Sequence, residues 1–334
     1  MADVAARLPA HTSAWRRPAL VAAALAAFGV ALSLADPGRV AGVQNFVLVF
    51  SSLLVEAIPF VLLGAVVSAA IEVFVPARAF ERIATLPRAL QLPAAGLGGL
   101  AFPVCECGSV PVARRLAAKG LSPGAAVTFM LAAPILNPVV LISTAVAYRG
   151  RDQLWTMVLG RAGLGLLAAL AVGWVVADRS GSELLRTRPG DDHDHGHEHD
   201  ESRPRAFFSH LAGDFTFMGR YLVLGAAVAA TLQTFVPQSV IGAVAETPIV
   251  SLVALMALAF VLSLCSESDA FVAASFVQFG PAAQLAFLVF GPMVDTKLGF
   301  LYAGTFTRGF LRTVVVVVGA VTLAGTLWLE VLVG

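Results

Sequence analysis

Two short stretches hold the side chains best suited to chemistry. Cys105-Glu106-Cys107-Gly108 and Cys265-Ser266-Glu267-Ser268-Asp269 each interrupt an otherwise apolar run. A second interruption follows each, Pro134-Ile135-Leu136-Asn137 in one case and Pro292-Met293-Val294-Asp295, with Lys297 just beyond, in the other. Cys-x-Cys places two soft sulfur ligands side by side, a pattern that could chelate a soft metal ion or trivalent arsenic. It is a poor fit to the Cys-x-x-Cys redox motif. Glu106, Glu267, Asp269 and Asp295 add hard oxygen ligands or proton carriers, Asn137 adds an amide, and unwound backbone adds free carbonyls.

A buried cysteine is usually a small inert hydrophobe, and a proline bend is often only a packing kink. Ionisable groups are different, because at membrane depth each costs at least roughly 2.5 kcal/mol and marks function by default. Glu106, Glu267, Asp269, Asp295 and Lys297 fall in such positions. Lys297 either neutralises Asp295 or another neighbour, or stands in for a cation when the site is empty. Arg161 and Glu72 carry less weight, and Glu72 lies near a helix end where snorkelling explains it. In the first stretch, Ser109 ahead of Pro111 predicts a helix start. Cys105, Glu106 and Cys107 would then face the positive end of a half-helix, which makes the sulfurs better ligands or nucleophiles. Asn137-Pro138 reads as a second cap followed by a first-turn proline.

The elements that must position these groups are membrane helices. Hydrophobic residues make up 58% of the chain and charged residues 13%, with a mean hydropathy of +0.84. Apolar runs able to cross about 30 Å of hydrocarbon occur near 19–35, 46–75, 122–148, 153–177, 214–236, 282–304 and 308–332. Two broken runs, near 89–118 and 249–279, read as hairpins that enter and return. The runs lack the alternation of a membrane barrel. Residues 19–35 are read as a retained helix, since no small-residue cleavage site clearly follows.

An internal repeat organises these runs. Residues 61–76 laid on 222–237 match at eight of sixteen positions, including Gly64 with Gly225, at an offset of 161. The offset is 160 at Cys105 and Cys265 and 158 at Pro134 and Pro292. Each unit contains three crossings and one hairpin, so the halves must be inverted, the arrangement of transporters whose site forms at broken helices near the midplane. The expected fold is an all-α integral membrane inverted-repeat helical bundle, with about seven crossing helices and two re-entrant hairpins, discontinuous helices meeting at the midplane. The expected division is an N-terminal segment with the first helix (1–43), a first repeat (44–177), a cytoplasmic His/Asp-rich linker (178–212) and a second repeat (213–334).

The net charge of +1 makes no case for nucleic-acid binding. With the N-terminus cytoplasmic, nearly all basic residues fall inside, among them Arg114, Arg115, Lys119, Arg186, Arg308 and Arg312, leaving Arg39, Arg149 and Arg151 outside. Trp15, Trp155, Trp174 and Trp328 fall near predicted membrane ends, where indole rings prefer to lie. The three cysteines lie in no predicted extracellular loop, which excludes a secreted disulfide framework. In the linker, His193, His195, His197 and His199 alternate with acidic residues, a tract that could collect zinc or another divalent ion, or serve only as a solvated spacer. No phosphate-binding loop is present, so energy would come from a gradient or a partner.

The stretch FPVCECGSVPVARRLAAKGLSPGAAVTFMLAAPILNPVVLIST, followed by LCSESDAFVAASF and FGPMVDTKLG, resembles the predicted permease family that includes the ArsP-type organoarsenical exporters, closest to a branch carrying Cys-Glu-Cys-Gly. The resemblance spans roughly residues 45 to 330. It implies an inner-membrane permease with sites at Cys105, Cys107, Asn137 and the second-half acidic break, in contact with membrane lipid and sometimes with a second small membrane protein. Glu106 stands where serine is common among the organoarsenical exporters, which adds a hard ligand. The expected cargo is a metal ion or a thiol-seeking metal or metalloid compound, with no required cofactor and no catalysis. Two alternatives stay open: a thiol redox relay acting with a partner, and a permease for a sulfur-containing anion.

Overall fold

The computed structural model describes residues 41–76, 86–100, 104–186, 203–235 and 248–333. The expected helix at 19–35, Trp15 and the four linker histidines lie outside the described residues. The chain forms two compact units, residues 1–48 and 49–334. The described part of the first is the opening of one helix, and the residues discussed below belong to the second.

Among the described residues the regular structure is helical. A long helix α1 (Ala41–Phe74) precedes a hairpin, α2 (Arg88–Leu97) and α3 (Glu106–Ala118). A broken helix follows, α4 (Pro123–Leu136) and α5 (Pro138–Ala147), then α6 (Leu154–Val176) and the short α7 (Gly181–Leu184). The second set has the same order: α8 (Arg203–Phe235), a hairpin α9 (Pro248–Leu262) and α10 (Asp269–Ser275), a broken helix α11 (Pro281–Phe290) and α12 (Thr296–Thr305), and α13 (Arg308–Val333). Among the described residues, five stretches are long and apolar enough to cross a membrane: Gly42–Phe74, Pro123–Ala147, Leu154–Val176, Arg203–Thr234 and Arg308–Val331. The crossing expected at 282–304 is split into α11 and α12.

Local chemistry accounts for the punctuation. α4, α5, α9 and α11 all begin with proline, whose missing N–H costs nothing in a first turn. Ser122 caps α4 through Ala125 N at 3.3 Å, Asn137 caps α5 through Val139 N at 3.0 Å, and Asp295 caps α12 through Leu298 N at 2.6 Å. Asn137 and Asp295 therefore hold corresponding places in the two broken helices.

Three boundaries differ from the sequence expectation. α3 starts at Glu106, because the Cys105 sulfur accepts the Gly108 N–H at 3.4 Å and so takes the capping place expected of Ser109. Ser109 turns back to donate to the Glu106 carbonyl at 2.9 Å. Pro111 then falls inside the helix, where it offers no N–H to the Cys107 carbonyl. α4 continues through Pro134 to Leu136. α8 begins at Arg203, well before 214, because its polar first turns pack on protein: Phe207 meets Phe74, and Asp214 accepts a 2.7 Å bond from Ser68.

The contacts between α1 and α8 establish the inversion. Ser68 bonds Asp214, and Leu53 packs with Ala226 and Ala229, so the two helices run antiparallel. At the offset of 161, Ser68 corresponds to Ala229 and Leu53 to Asp214, which makes these one contact seen from each repeat. The broken helices lie innermost. In Pro123–Ala147, 78% of the most apolar window is buried, against 17–33% in the other four spans. Exposed Trp155, Trp174 and Trp328 stand near the ends of α6 and α13, as expected of a membrane-interface belt.

Two glycines of matching position permit close packing behind the breaks. A side chain at Gly64 would strike the Cα of Gly108, and one at Gly225 would come within 2.7 Å of the Cα of Lys297. A Cβ at Gly108 would in turn lie 3.1 Å from the Gly64 Cα, so α1 packs tightly on that residue of the motif. Gly64→Ala should cost about 1–3 kcal/mol through overpacking and lower the unfolding midpoint in detergent. Gly163→Ala, with no neighbouring atom within 4 Å, should leave that midpoint unchanged.

Candidate functional site

The tips of the two hairpins meet. Glu106, buried in the first turn of α3, accepts a 2.9 Å hydrogen bond on Oε2 from the Ser266 hydroxyl in the second hairpin. These residues are 160 positions apart, the repeat offset at the cysteines. A contact between equivalent residues places them at the axis relating the halves. Glu106 Oε1 has no hydrogen-bond partner among the described residues, and the Lys297 ammonium lies 3.9 Å from it.

Lys297 is fully buried at the start of α12 and reaches Cys265 Sγ at 3.7 Å. Its N–H donates to Ser263 Oγ at 3.1 Å. Ser263 adopts a φ of 50°, a left-handed conformation that stores strain where the chain leaves α9. The unwound end of α9 exposes carbonyls that side chains satisfy: Gln233 donates to Leu262 at 2.9 Å and Thr296 to Phe260 at 2.8 Å.

All three cysteines are buried and none is in a disulfide. Lys297 bridges Cys265 at 3.7 Å and Glu106 at 3.9 Å, and Cys105 and Cys107 flank Glu106 along the chain. Both Glu267 oxygens and Asp295 Oδ2 are buried without a hydrogen-bond partner among the described residues. Asp295 also forms part of the wall of an apolar groove of about 680 Å³ between α9 and α13, where Phe260, Val294, Gly299 and Tyr302 surround it.

Asp269 has a different role. Arg161 of α6, fully buried, grips both its oxygens at 2.8 Å, and also donates to Thr144 Oγ1 at 3.0 Å and the Ser266 carbonyl at 3.1 Å. This fork ties the second hairpin to α5 and α6 of the first repeat. Arg161, given less weight from sequence, makes four side-chain hydrogen bonds in the protein's interior. Asn137 is buried and serves as the α5 cap.

Sequence reasoning passed over Glu56. It lies midway along α1 and accepts a 2.8 Å bond from Ser268. Its signal was present, because a carboxylate deep in an apolar helix meets the same condition that singled out Glu106. Ser263 and Thr144 carried no such signal. Among the described residues, no three His, Cys, Asp or Glu side chains converge closely enough to hold a metal ion, so Cys105, Glu106 and Cys107 do not form a ready-made cage. Glu106 is held by Ser266 and Lys297 instead.

Apolar spanning helices, inverted halves and broken helices with buried charge define a multi-pass membrane protein of the permease class. The chain belongs to the ArsP family of predicted permeases, whose model matches residues 42–330. It is 40% identical over 284 residues to the UPF0718 protein YcgR of Bacillus subtilis (strain 168), covering 84% of this chain and 95% of the relative. It is 32% identical over 266 residues to a Streptococcus mutans protein named as a subunit of a two-component membrane permease complex, covering 79% and 87%. No solved structure matches.

Proposed function

We propose that this permease carries a soft metal ion or a thiol-seeking metalloid compound by alternating access, binding it among Cys105, Cys107 and Cys265. The observation that carries this reading is the meeting of both hairpin tips around three buried thiols, with carboxylate oxygens that lack partners. Lys297 acts as a tethered cation. Its contacts with Glu106 and Cys265 are long, 3.9 and 3.7 Å, so an incoming cation can displace it and inherit both ligands. Glu267 and Asp295 then supply oxygen ligands or carry protons, and rocking of the halves exposes the site alternately. Asp269 moves with α6, to which Arg161 holds it.

The buried ammonium also favours a second reading, a permease for a sulfur-containing anion in which Lys297 binds the cargo directly. A thiol relay gains no comparable support. The Streptococcus relative's name supports a second membrane subunit as partner. The basic residues gathered at the end of the bundle that holds Lys119 and Arg308 support an inner-membrane protein with that end, and the N-terminus, in the cytoplasm. His193, His195, His197 and His199 would collect divalent ions such as zinc there.

Proteoliposome flux tests the proposal with zinc, other divalent ions, arsenite, methylated trivalent arsenicals and a thiosulfate-type anion. Cys105→Ser with Cys107→Ser should lower flux of a soft cargo by about 100-fold while membrane insertion is unchanged. Wild-type flux in that variant would remove the thiol mechanism. Saturable flux of the anion alone would select the second reading.

A further inference from the structure

We propose that the chain binds an anionic phospholipid at the start of α13, in a groove of about 600 Å³ framed by Arg186, Arg308 and Arg312. Arg308 and Arg312 lie one turn apart on α13 and share a helix face, where like charges repel. Arg186 is brought to them by the strap that follows α7. Its N–H donates to the Thr305 carbonyl at 2.9 Å, Thr307 N–H donates to the Leu184 carbonyl at 2.9 Å, and Thr307 Oγ1 donates to the Glu183 carbonyl at 2.9 Å. The strap thus assembles three exposed guanidiniums that form no ion pair with any described residue, and no carboxylate lines the groove. The first turn of α13 adds its own positive end.

That concentration of charge calls for an anion, and planar guanidiniums match a phosphate's oxygens in pairs. The other half of the groove identifies the source of the phosphate. Leu311, Val315 and Val316 continue from the arginines along the span, and Val315 and Val316 are 40% and 58% exposed. An acyl chain would lie on them while the headgroup meets the arginines. A soluble anion would use only the polar half. Basic pockets at membrane ends are known to take acidic headgroups in this way.

The test uses the full chain in nanodiscs, with a spin-labelled phosphatidylglycerol or phosphatidylcholine as probe. The wild type should immobilise the phosphatidylglycerol probe preferentially. Arg308→Gln, Arg312→Gln and Arg186→Gln should each weaken that preference about fivefold, and Arg308→Lys should restore part of it. The substituted side chains are exposed, and a monodisperse sample with unchanged thermal midpoint confirms folding. Equal immobilisation of both lipids, or a triple variant that binds like the wild type, overturns the proposal. Displacement of the probe by inorganic phosphate assigns the groove to a free anion. Binding that appears only after Asp191, Asp192, Asp194, Glu198, Asp200 and Glu201 are neutralised assigns it to the chain's own acidic tract.

Discussion

Arg161→Leu is expected to cost about 3–5 kcal/mol, because it leaves Asp269 buried without its partner. The guanidinium makes four bonds of 2.8 to 3.1 Å that join α5, α6 and the second hairpin. Without it, Asp269 must remain charged in a dry site or take up a proton. A loss of that size lowers the folded-to-unfolded ratio by about two to four orders of magnitude, and should appear as a collapse in detergent-stable yield. The paired change Arg161→Leu with Asp269→Leu removes both charges and should recover most of the yield, since a buried pair can often be replaced by apolar residues at little net cost. A single Arg161→Leu protein with the wild-type melting profile would show that the fork holds nothing in place.

Lys297→Met should act chiefly on transport, with a folding cost below that of Arg161→Leu because Glu106 keeps its bond from Ser266. Lys297 is as deeply buried as Arg161, but its contacts are 3.7 and 3.9 Å and fewer in number. Such loose contacts contribute little beyond neutralising Glu106, and they leave the ammonium free to be displaced. Transport should fall by about 10–100-fold, because Glu106 then lacks the cation that the cargo exchanges with, or the anion lacks its binding charge. Lys297→Arg should not restore it, since a guanidinium would lock Glu106 in a two-pronged pair. Glu106→Gln should reproduce the loss and should also weaken the bond to Ser266 that joins the hairpins. Flux of wild-type magnitude from Lys297→Met would reduce this lysine to a structural counter-ion.

The contrast between the two buried cations shows what sequence reading can weigh and what it passes over. Lys297 follows a visible helix break and Arg161 lies in an uninterrupted apolar helix, so only the first is flagged by its surroundings. Neither position reveals how many bonds the side chain makes. Glu56 was overlooked for the same reason, although its depth in α1 was legible. The Cys105 cap was hidden because sulfur rarely takes that role, and the helix start was assigned to Ser109 instead.

What the sequence determined by itself is whatever depends on neighbours along the chain and on the solvent around it. Hydropathy specifies that the helices lie in a membrane, proline and small polar residues specify where α4, α5, α11 and α12 begin, and the nearly constant offset specifies the inverted halves. Which side chain answers which is set by contacts between distant segments. Arg161 meets Asp269 across 108 positions, Glu106 meets Ser266 across 160, and Glu56 meets Ser268 across 212. Those pairings follow from close helix crossings such as Gly64 on Gly108, where a fraction of an ångström selects the partner, and no local pattern encodes a distance between segments so far apart.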